Sequence, residues 1–129
     1  MNKEDKNTIL IVDDDPMYIS FLINVLKNDY ILLVAKDGFS AIALTVEHLP
    51  DLILMDVDMP GMDGHELFLS LQTLDATKTI PVIFLTARET QADEKMGLEL
   101  GAVDYILKSK SPDIIRMRIR NQIRVLKKK

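Results

Sequence analysis

The sequence predicts an α/β fold in which helices cover both faces of a parallel five-stranded sheet. Five short apolar runs alternate with segments whose apolar residues recur at helical spacing. The runs contain few polar residues, which is typical of strands buried on both faces. This alternation indicates consecutive βαβ units with right-handed crossovers. The chain has 129 residues and no internal repeat, so we expect a single domain.

The strands and the first two helices follow directly from these patterns. The predicted strands are Thr8–Val12, Tyr30–Ala35, Leu52–Asp56, Pro81–Thr86 and Asp104–Leu107. The first helix should begin at Pro16, because proline suits the first helical turn. The apolar positions are Ile19, Leu22, Ile23 and Leu26 in the first helix, and Phe39, Ile42, Ala43 and Val46 in the second.

The other three helices have recognisable ends. The third is predicted from about Gly64 to Leu71 and the fourth from about Thr90 to Leu100, where Gly101 is a suitable C-cap. The fifth should begin at Ser111-Pro112, with serine as N-cap and proline at the first position. Its predicted inner face consists of Ile115, Ile119, Ile123 and Leu126.

Composition excludes several classes of protein. The chain has no cysteine, so disulfides and thiolate metal sites are excluded. The polar N-terminus is no signal peptide, and no apolar run approaches the length of a membrane span, so we expect a cytoplasmic protein.

Residues 1–107 carry a net charge of −12 and residues 108–129 a net charge of +8. Because no aromatic residue interleaves with these cations, a solvated last helix is favoured over a nucleic-acid site.

Acidic residues stand where two predicted strands end. Asp13 and Asp14 follow the first strand, and Asp56 closes the third. Open α/β sheets bind ligands at the carboxyl ends of their strands, so these carboxylates should lie together. Their repulsion favours a divalent cation, and Mg²⁺ accepts a few carboxylates while keeping waters that a phosphate can replace. Either Asp14 or Asp15 should also cap the first helix.

Two further strand ends provide a hydroxyl and an ammonium group. Thr86 ends the fourth strand and Lys108 follows the fifth. Each alone has an ordinary explanation, since a threonine can cap a helix and a lysine can lie on the surface. Together with the carboxylates they are complementary to a phosphoryl group, with metal and lysine neutralising its oxygens and a carboxylate as nucleophile.

These residues belong to longer motifs in a fixed order. The motifs are Asp13-Asp14, Asp56 with Met59-Pro60 and Asp63-Gly64, Thr86-Ala87, and Lys108. In this order and spacing they resemble the motifs of receiver domains of bacterial two-component response regulators. The match covers about residues 8–126, and four agreeing motifs are highly specific. The resemblance implies a flavodoxin-like, doubly wound (βα)5 fold with strand order 2-1-3-4-5.

The resemblance assigns roles at the predicted metal site. Asp56 would accept a phosphoryl group from the phosphohistidine of a sensor histidine kinase or a histidine phosphotransfer protein. Mg²⁺, with Mn²⁺ as the alternative, would be held by Asp13, Asp14, Asp56 and the main-chain carbonyl of Asp58. By the same resemblance the domain is a phosphoprotein and not an enzyme, apart from its own phosphotransfer and autodephosphorylation.

The resemblance also implies a switch. Lys108 would pair with the phosphoryl group, and Thr86, in the Thr86-Ala87 motif, would move to hydrogen-bond it. Tyr105 would then turn inward, and the face formed by the fourth helix, fifth strand and fifth helix would repack and change partner choice. Added negative charge biases such a two-state element.

Four residues near the motifs, Ser109, Asp58, Arg88 and His65, also carry predictions. Most receivers have proline directly after the lysine, whereas this chain has Ser109. A cis bond before serine costs about 2.5–4 kcal/mol, so a trans Lys108–Ser109 bond or a strained loop is predicted.

Asp58 and Arg88 occupy positions that tune phosphoryl lifetime in the family. His65 is predicted to be a surface residue and not a ligand.

The sequence is also compatible, to a lesser degree, with three other functions. Asp56-Val-Asp58 is similar to the nucleophile motif of haloacid-dehalogenase-type phosphatases, but those carry it on the first strand of a larger chain. A pseudo-receiver that works by binding alone conflicts with the complete set of site residues, although Ser109 keeps that alternative open. A nucleotide-binding flavodoxin-like protein is disfavoured because no glycine-rich loop follows the first strand.

The predicted organisation is a flexible segment at residues 1–7, a receiver domain at 8–126 and a basic tail or linker at 127–129. The residues around Arg118 resemble those of receivers fused to cyclic-di-GMP enzymes and of receivers that dimerise through their last helix. An output domain and a homodimer through the face of the fourth helix, fifth strand and fifth helix are therefore both open. Direct contact with nucleic acid or membrane is not expected.

Overall fold

The computed structural model describes residues 5–127, in which strands and helices alternate as predicted. The strands are β1 (Asn7–Val12), β2 (Tyr30–Ala35), β3 (Leu52–Met55), β4 (Val82–Thr86) and β5 (Asp104–Leu107). The helices are α1 (Pro16–Leu26), α2 (Gly38–His48), α3 (Gly64–Gln72), α4 (Gln91–Leu100) and α5 (Pro112–Lys127). Each predicted strand agrees with the observed one to within one residue at either end.

The five strands form one parallel sheet in the order β2-β1-β3-β4-β5, which confirms the predicted order. The order reverses between β1 and β3, so ligands are expected above the carboxyl ends of these two strands. Val12 of β1 is paired with Met55 of β3. This register places the next residue of each strand, Asp13 and Asp56, side by side at that edge.

The apolar core consists of two layers, one on each face of the sheet. Successive strand side chains point to opposite faces. Leu10 of β1 therefore faces the layer that contains Phe68 of α3, and Ile11 faces the layer that contains Ile119 of α5. The four residues of β3 are all almost fully buried. This burial explains why the strands read as continuous apolar runs, since each such side chain contributes about 1.5–3 kcal/mol when buried.

The predicted inner faces of α1 and α5 are confirmed, but that of α2 is correct only for Ile42, which packs against the core. Phe39 is 74% exposed and Val46 is also exposed, whereas Ala41 and Thr45 are buried. The hydroxyl of Thr45 donates a 2.6 Å hydrogen bond to the carbonyl of Ala41, which satisfies the buried polar atom. Small residues on this face let the helix approach the sheet closely, with Ile42 and Leu44 packed at its sides and Phe39 and Val46 left exposed.

Helix ends are capped as the sequence indicates. Asp15 is the N-cap of α1, and its side chain accepts from the main-chain N–H of Met17. Thr90 caps the N-terminus of α4, and Gly101 ends that helix with φ of 119°, a left-handed conformation that favours glycine. At the start of α3, Asp63 and Glu66 form a reciprocal capping box.

None of the helices within residues 5–127 combines the length and the apolar character needed to cross a bilayer. The predicted flexible segment and basic tail lie partly outside the described residues, which leave out 1–4 and 128–129. Within the described part, β1 already begins at Asn7 and α5 ends at Lys127. The predicted domain boundaries stay predictions.

Candidate functional site

Three carboxylates meet at the carboxyl edge of the sheet, as predicted. Oxygens of Asp13, Asp14 and Asp56 all lie within 4.8 Å of one another. Asp13 is 2% exposed and Asp56 is 5% exposed, whereas Asp14 faces solvent. The cluster is therefore open on the side of Asp14 and closed by protein beneath.

Lys108 connects the two buried carboxylates. Its Nζ lies 2.8 Å from Oδ2 of Asp13 and 3.0 Å from Oδ2 of Asp56. The main-chain N–H of Lys108 donates a hydrogen bond to the carbonyl of Thr86. This bond fixes the main chain of Lys108 at the end of β4, on the edge of the sheet where the acidic cluster lies. The lysine reaches both carboxylates directly, as complementarity to a phosphoryl site requires.

Burial and pairing shift the pKa values of this group. Burial raises the pKa of Asp13, and the hydrogen bond from Lys108 only partly opposes this rise. Burial would lower the pKa of Lys108, but its hydrogen bonds to Asp13 and Asp56 outweigh burial and raise it. The Lys108 ammonium group contacts two of the three carboxylates, so the cluster keeps a negative charge whose oxygen donors fit a divalent cation such as Mg²⁺.

The main chain at Asp56 is held from both sides. Its N–H donates a 2.9 Å hydrogen bond to the carbonyl of Val12, and its Oδ1 accepts a 3.3 Å bond from the N–H of Asp58. On the other side, α3 begins in contact with this strand end. A Cβ at Gly64 would overlap the carbonyl oxygen of Asp56 and lie 2.8 Å from Cα of Val57. Glycine is therefore required at this close approach.

Asp58 and Arg88, predicted separately as tuning residues, form an ion pair across the mouth of the site. The Nε of Arg88 donates a 2.8 Å hydrogen bond to Oδ1 of Asp58, and its second terminal nitrogen contacts the same oxygen. The hydrogen bond from Arg88 lowers the pKa of Asp58. The guanidinium also reaches Asp93 of α4 at 3.5 Å. The pair therefore joins the loop after β3 to the start of α4.

The predicted switch residues lie beside this ion pair. Thr86 is fully buried, and its Oγ1 accepts a 3.3 Å hydrogen bond from the N–H of Arg88. Ala87 follows on the surface. Tyr105 is 4% exposed, and its hydroxyl donates a 2.8 Å bond to the carbonyl of Arg88. The ring of Tyr105 thus occupies the inward position in this structure.

Two residues at the site differ from the sequence interpretation. His65 was expected at the surface, but it is half-buried, packs edge-on against Phe84 at 5.4 Å, and has a buried Nε2 without a hydrogen-bond partner. It belongs to the wall between α3 and β4, because the first turn of α3 lies against the sheet. Tyr18 was missed altogether, although its ring lies 4.7 Å from Nζ of Lys108. No local pattern marks Tyr18, since the two residues are 90 positions apart.

The predicted trans bond between Lys108 and Ser109 is confirmed, since the peptide bonds of the described residues include no cis form. Lys108 nevertheless reaches both carboxylates. The loop without proline therefore still delivers the ammonium group to the site.

Comparison with known proteins agrees with this geometry. The family model described as the response regulator receiver domain matches residues 9–120. Among curated proteins, the chain is 38% identical over 95% of its length to a probable cyclic di-GMP phosphodiesterase of Vibrio cholerae, of which it covers 28%. It is 36% identical over 92% of its length to the DNA-binding response regulator MtrA of Mycolicibacterium smegmatis, of which it covers 51%.

A solved structure supports the same assignment at the level of the fold and the sequence. The BeF3-activated N-terminal receiver domain of RstA from Klebsiella pneumoniae superimposes with a TM-score of 0.84 at 33% identity. The superposition covers 92% of this chain and 99% of that one. The chain thus spans nearly all of a solved receiver domain, but about half or less of the two curated relatives.

Proposed function

Because this chain belongs to the response regulator receiver domain family, we propose that Asp56 is the phosphoacceptor of a two-component signalling switch. The observation that most directly supports this proposal is the position of the Lys108 ammonium group. It bridges Asp13 and Asp56 at the edge of the sheet where Asp14 also lies. Receivers of this family are phosphorylation-activated signalling domains. The donor is a phosphohistidine of a sensor histidine kinase or a histidine phosphotransfer protein.

The reaction is a transfer between two nucleophiles. A carboxylate oxygen of Asp56 attacks phosphorus, the P–N bond of phosphohistidine breaks, and the imidazole leaves with the bond electrons. Lys108 pairs with the incoming phosphoryl oxygens. Mg²⁺, or Mn²⁺ in its place, would be held by Asp13, Asp14, Asp56 and the carbonyl of Asp58, and would neutralise charge on the phosphoryl oxygens.

The proposed switch starts at Thr86. Its hydroxyl is buried at the end of β4 and accepts a hydrogen bond from the N–H of Arg88, which it would exchange for a bond to the phosphoryl group. Ala87 follows on the surface, and we expect its small side chain to allow this movement. The loop after Thr86 contains the carbonyl of Arg88, which accepts the hydrogen bond from the Tyr105 hydroxyl. A movement of this loop would therefore change the position of Tyr105.

Partner choice follows from the same connection. Tyr105 lines a surface cavity between α4 and α5 together with Glu94, Leu107 and Arg118, among others. Arg118 lies 3.5 Å from Asp104, which leaves a mixed-charge rim suited to a second receiver or an output domain. The relatives named above are longer than this chain, so any enzymatic or DNA-binding output belongs to other parts of such proteins. The receiver itself is regulatory, with only its own phosphotransfer and dephosphorylation.

Intact-mass analysis after incubation with acetyl phosphate and Mg²⁺ tests the proposal. We expect one phosphoryl adduct that requires Mg²⁺ and is absent in Asp56→Asn. Asp75→Asn is the matched control, because Asp75 is almost fully exposed and follows the far end of α3, whose first residue is the one near Asp56, so it should react like the wild type.

Two results would count against the proposal. An adduct that persists in Asp56→Asn would assign the phosphoacceptor elsewhere. Absence of any adduct, with Mg²⁺ demonstrably bound, would favour a binding-only pseudo-receiver, and sustained turnover of phosphate esters would favour a phosphatase.

A further inference from the structure

The side chain of Tyr18 lies against Lys108 from the first turns of α1. The Nζ of Lys108 stands over the aromatic ring, 4.7 Å from its centroid. The hydroxyl of Tyr18 donates a long hydrogen bond, 3.5 Å, to the main-chain carbonyl of Lys108. Tyr18 therefore contacts Lys108 at both the ammonium group and the main chain. The same ammonium group contacts the proposed phosphoacceptor Asp56.

The electrostatics of this contact are favourable. The face of a tyrosine ring carries partial negative charge, and a cation within about 6 Å of its centroid is attracted to it. Lys108 is only 16% exposed, which reduces screening by water. Burial raises the pKa of Tyr18 to about 12, so the ring remains a neutral phenol under ordinary conditions. The contact is therefore a cation–π interaction and not an ion pair.

The ring is itself held in place. It packs against Phe21 on the same helix with a centroid distance of 5.2 Å. The start of α1 is anchored by the Asp15 cap, and the N–H of Asp15 donates to Oδ1 of Asp13. The helix that carries Tyr18 is thus attached to the acidic cluster itself. A fixed ring can define the position of the flexible lysine chain that lies across it.

The loop after Lys108 explains why such a contact matters in this chain. Ser109 and Lys110 are exposed, and the bond before Ser109 is trans. Serine restricts the main chain far less than proline, whose ring fixes φ. The direction of the lysine side chain therefore depends on its own contacts, which are the two carboxylates and Tyr18.

We propose that Tyr18 is a positioning residue that holds the Lys108 ammonium group between Asp13 and Asp56. The ring provides most of the effect, and the hydroxyl bond to the Lys108 carbonyl adds to it. The kinetic consequence rests on the proposed function of Asp56 as phosphoacceptor, whereas the contact between the two side chains does not.

Initial rates of phosphorylation by acetyl phosphate, read by intact mass, test the kinetic consequence. A desolvated cation–π contact predicts that Tyr18→Leu lowers the rate by about three- to tenfold. Tyr18→Phe keeps the ring and should stay within about twofold of the wild type. Tyr30→Leu is the control, because Tyr30 is a half-buried tyrosine at the opposite end of the sheet, and its rate should not change.

A double-mutant cycle tests the contact without phosphorylation. Urea unfolding of the wild type, Tyr18→Leu, Lys108→Met and the double variant should show a coupling between the two sites. A Tyr18→Leu rate equal to the wild type, a Tyr18→Phe rate as low as that of Tyr18→Leu, or zero coupling would overturn the proposal. If the wild type takes no phosphoryl group, the proposed function fails, and the coupling alone decides whether Tyr18 holds the lysine.

Discussion

The hydroxyl of Tyr105 donates a 2.8 Å hydrogen bond to the main-chain carbonyl of Arg88, and its ring is buried beneath the loop that contains that carbonyl. The ring also packs near Phe84, with a centroid distance of 6.4 Å. A residue on β5 is thereby attached to the loop that follows Thr86. Any movement of this loop changes the environment of the Tyr105 hydroxyl.

Replacing Tyr105 with phenylalanine removes the hydroxyl and keeps the ring. We expect the free energy of unfolding to fall by about 1 kcal/mol, the usual net value of one hydrogen bond. Urea unfolding measures the change. Among the described residues the tyrosine hydroxyls that donate hydrogen bonds are those of Tyr18 and Tyr105, so Tyr30→Phe should lose none of them and should unfold like the wild type. A Tyr105→Phe variant as stable as the wild type would show that the bond is replaced by water.

The ion pair between Arg88 and Asp58 predicts a charge effect on phosphorylation. Arg88→Gln leaves the Asp58 carboxylate uncompensated at the mouth of the site, so the anionic donor acetyl phosphate is repelled. We expect the initial rate to fall by about two- to fivefold at low salt and less at high salt. Stability should change by less than about 1 kcal/mol, because both side chains are about half exposed.

Adding Asp58→Asn to this variant is the decisive control, since it removes the uncompensated charge and should restore most of the rate. A rate that stays low in the double variant would assign Arg88 a role other than neutralising Asp58. An unchanged rate in Arg88→Gln at low salt would show that the pair lies outside the path of the donor.

The fold could be predicted closely because the sheet is buried on both faces. Burial on both sides requires apolar residues at consecutive positions, and such runs have clear ends. The face of α2 could not be predicted in this way, because apolar residues surround that helix. Its buried side is set by how closely Ala41 and Thr45 approach the sheet, which depends on the volume of side chains from other elements.

The site was predictable where it depends on strand ends. Parallel strands bring Asp13, Asp56 and Lys108 to one edge whatever the loops do. The contacts Asp58–Arg88 and Tyr18–Lys108 depend instead on how distant loops and helices approach one another. The two residues of the first pair are 30 positions apart, and those of the second are 90 positions apart. Such distances leave no periodic signal in a single sequence.

Magnesium binding predicts a stability change that depends on Asp13. At a concentration ten times its dissociation constant, Mg²⁺ should raise the free energy of unfolding by about 1.4 kcal/mol. Asp13→Asn removes a buried ligand and should abolish most of this gain, whereas Asp75→Asn should keep it. Thermal or urea unfolding with and without Mg²⁺ measures the difference. A full Mg²⁺ effect in Asp13→Asn would exclude Asp13 as a ligand.

The raised pKa of Asp13 also predicts a pH dependence without metal. A carboxyl group whose pKa is raised by folding contributes stability that is present below the unfolded value of 3.8 and is lost as pH rises through the folded pKa. At neutral pH the ionised group is therefore unfavourable, and Asp13→Asn should be more stable than the wild type. This advantage should disappear as pH falls toward 3.8. A variant less stable than the wild type at neutral pH would show that the Lys108 contact outweighs burial.

The chain's three tyrosines predict an unusual alkaline titration. Burial raises the pKa of Tyr30, and it raises the pKa of Tyr18 and of Tyr105 to about 12 in each case, against 10.0 in an unfolded chain. The stabilising contribution of Tyr18 and Tyr105 is present below pH 10 and is lost as pH rises through 12. Ultraviolet absorbance of the phenolate should therefore show Tyr18 and Tyr105 almost un-ionised at pH 10 in the native protein, whereas the tyrosines should be half ionised in urea. More than one native tyrosine titrating near pH 10 would contradict the burial of Tyr18 or Tyr105, and the Tyr18→Phe variant would show whether Tyr18 is among them.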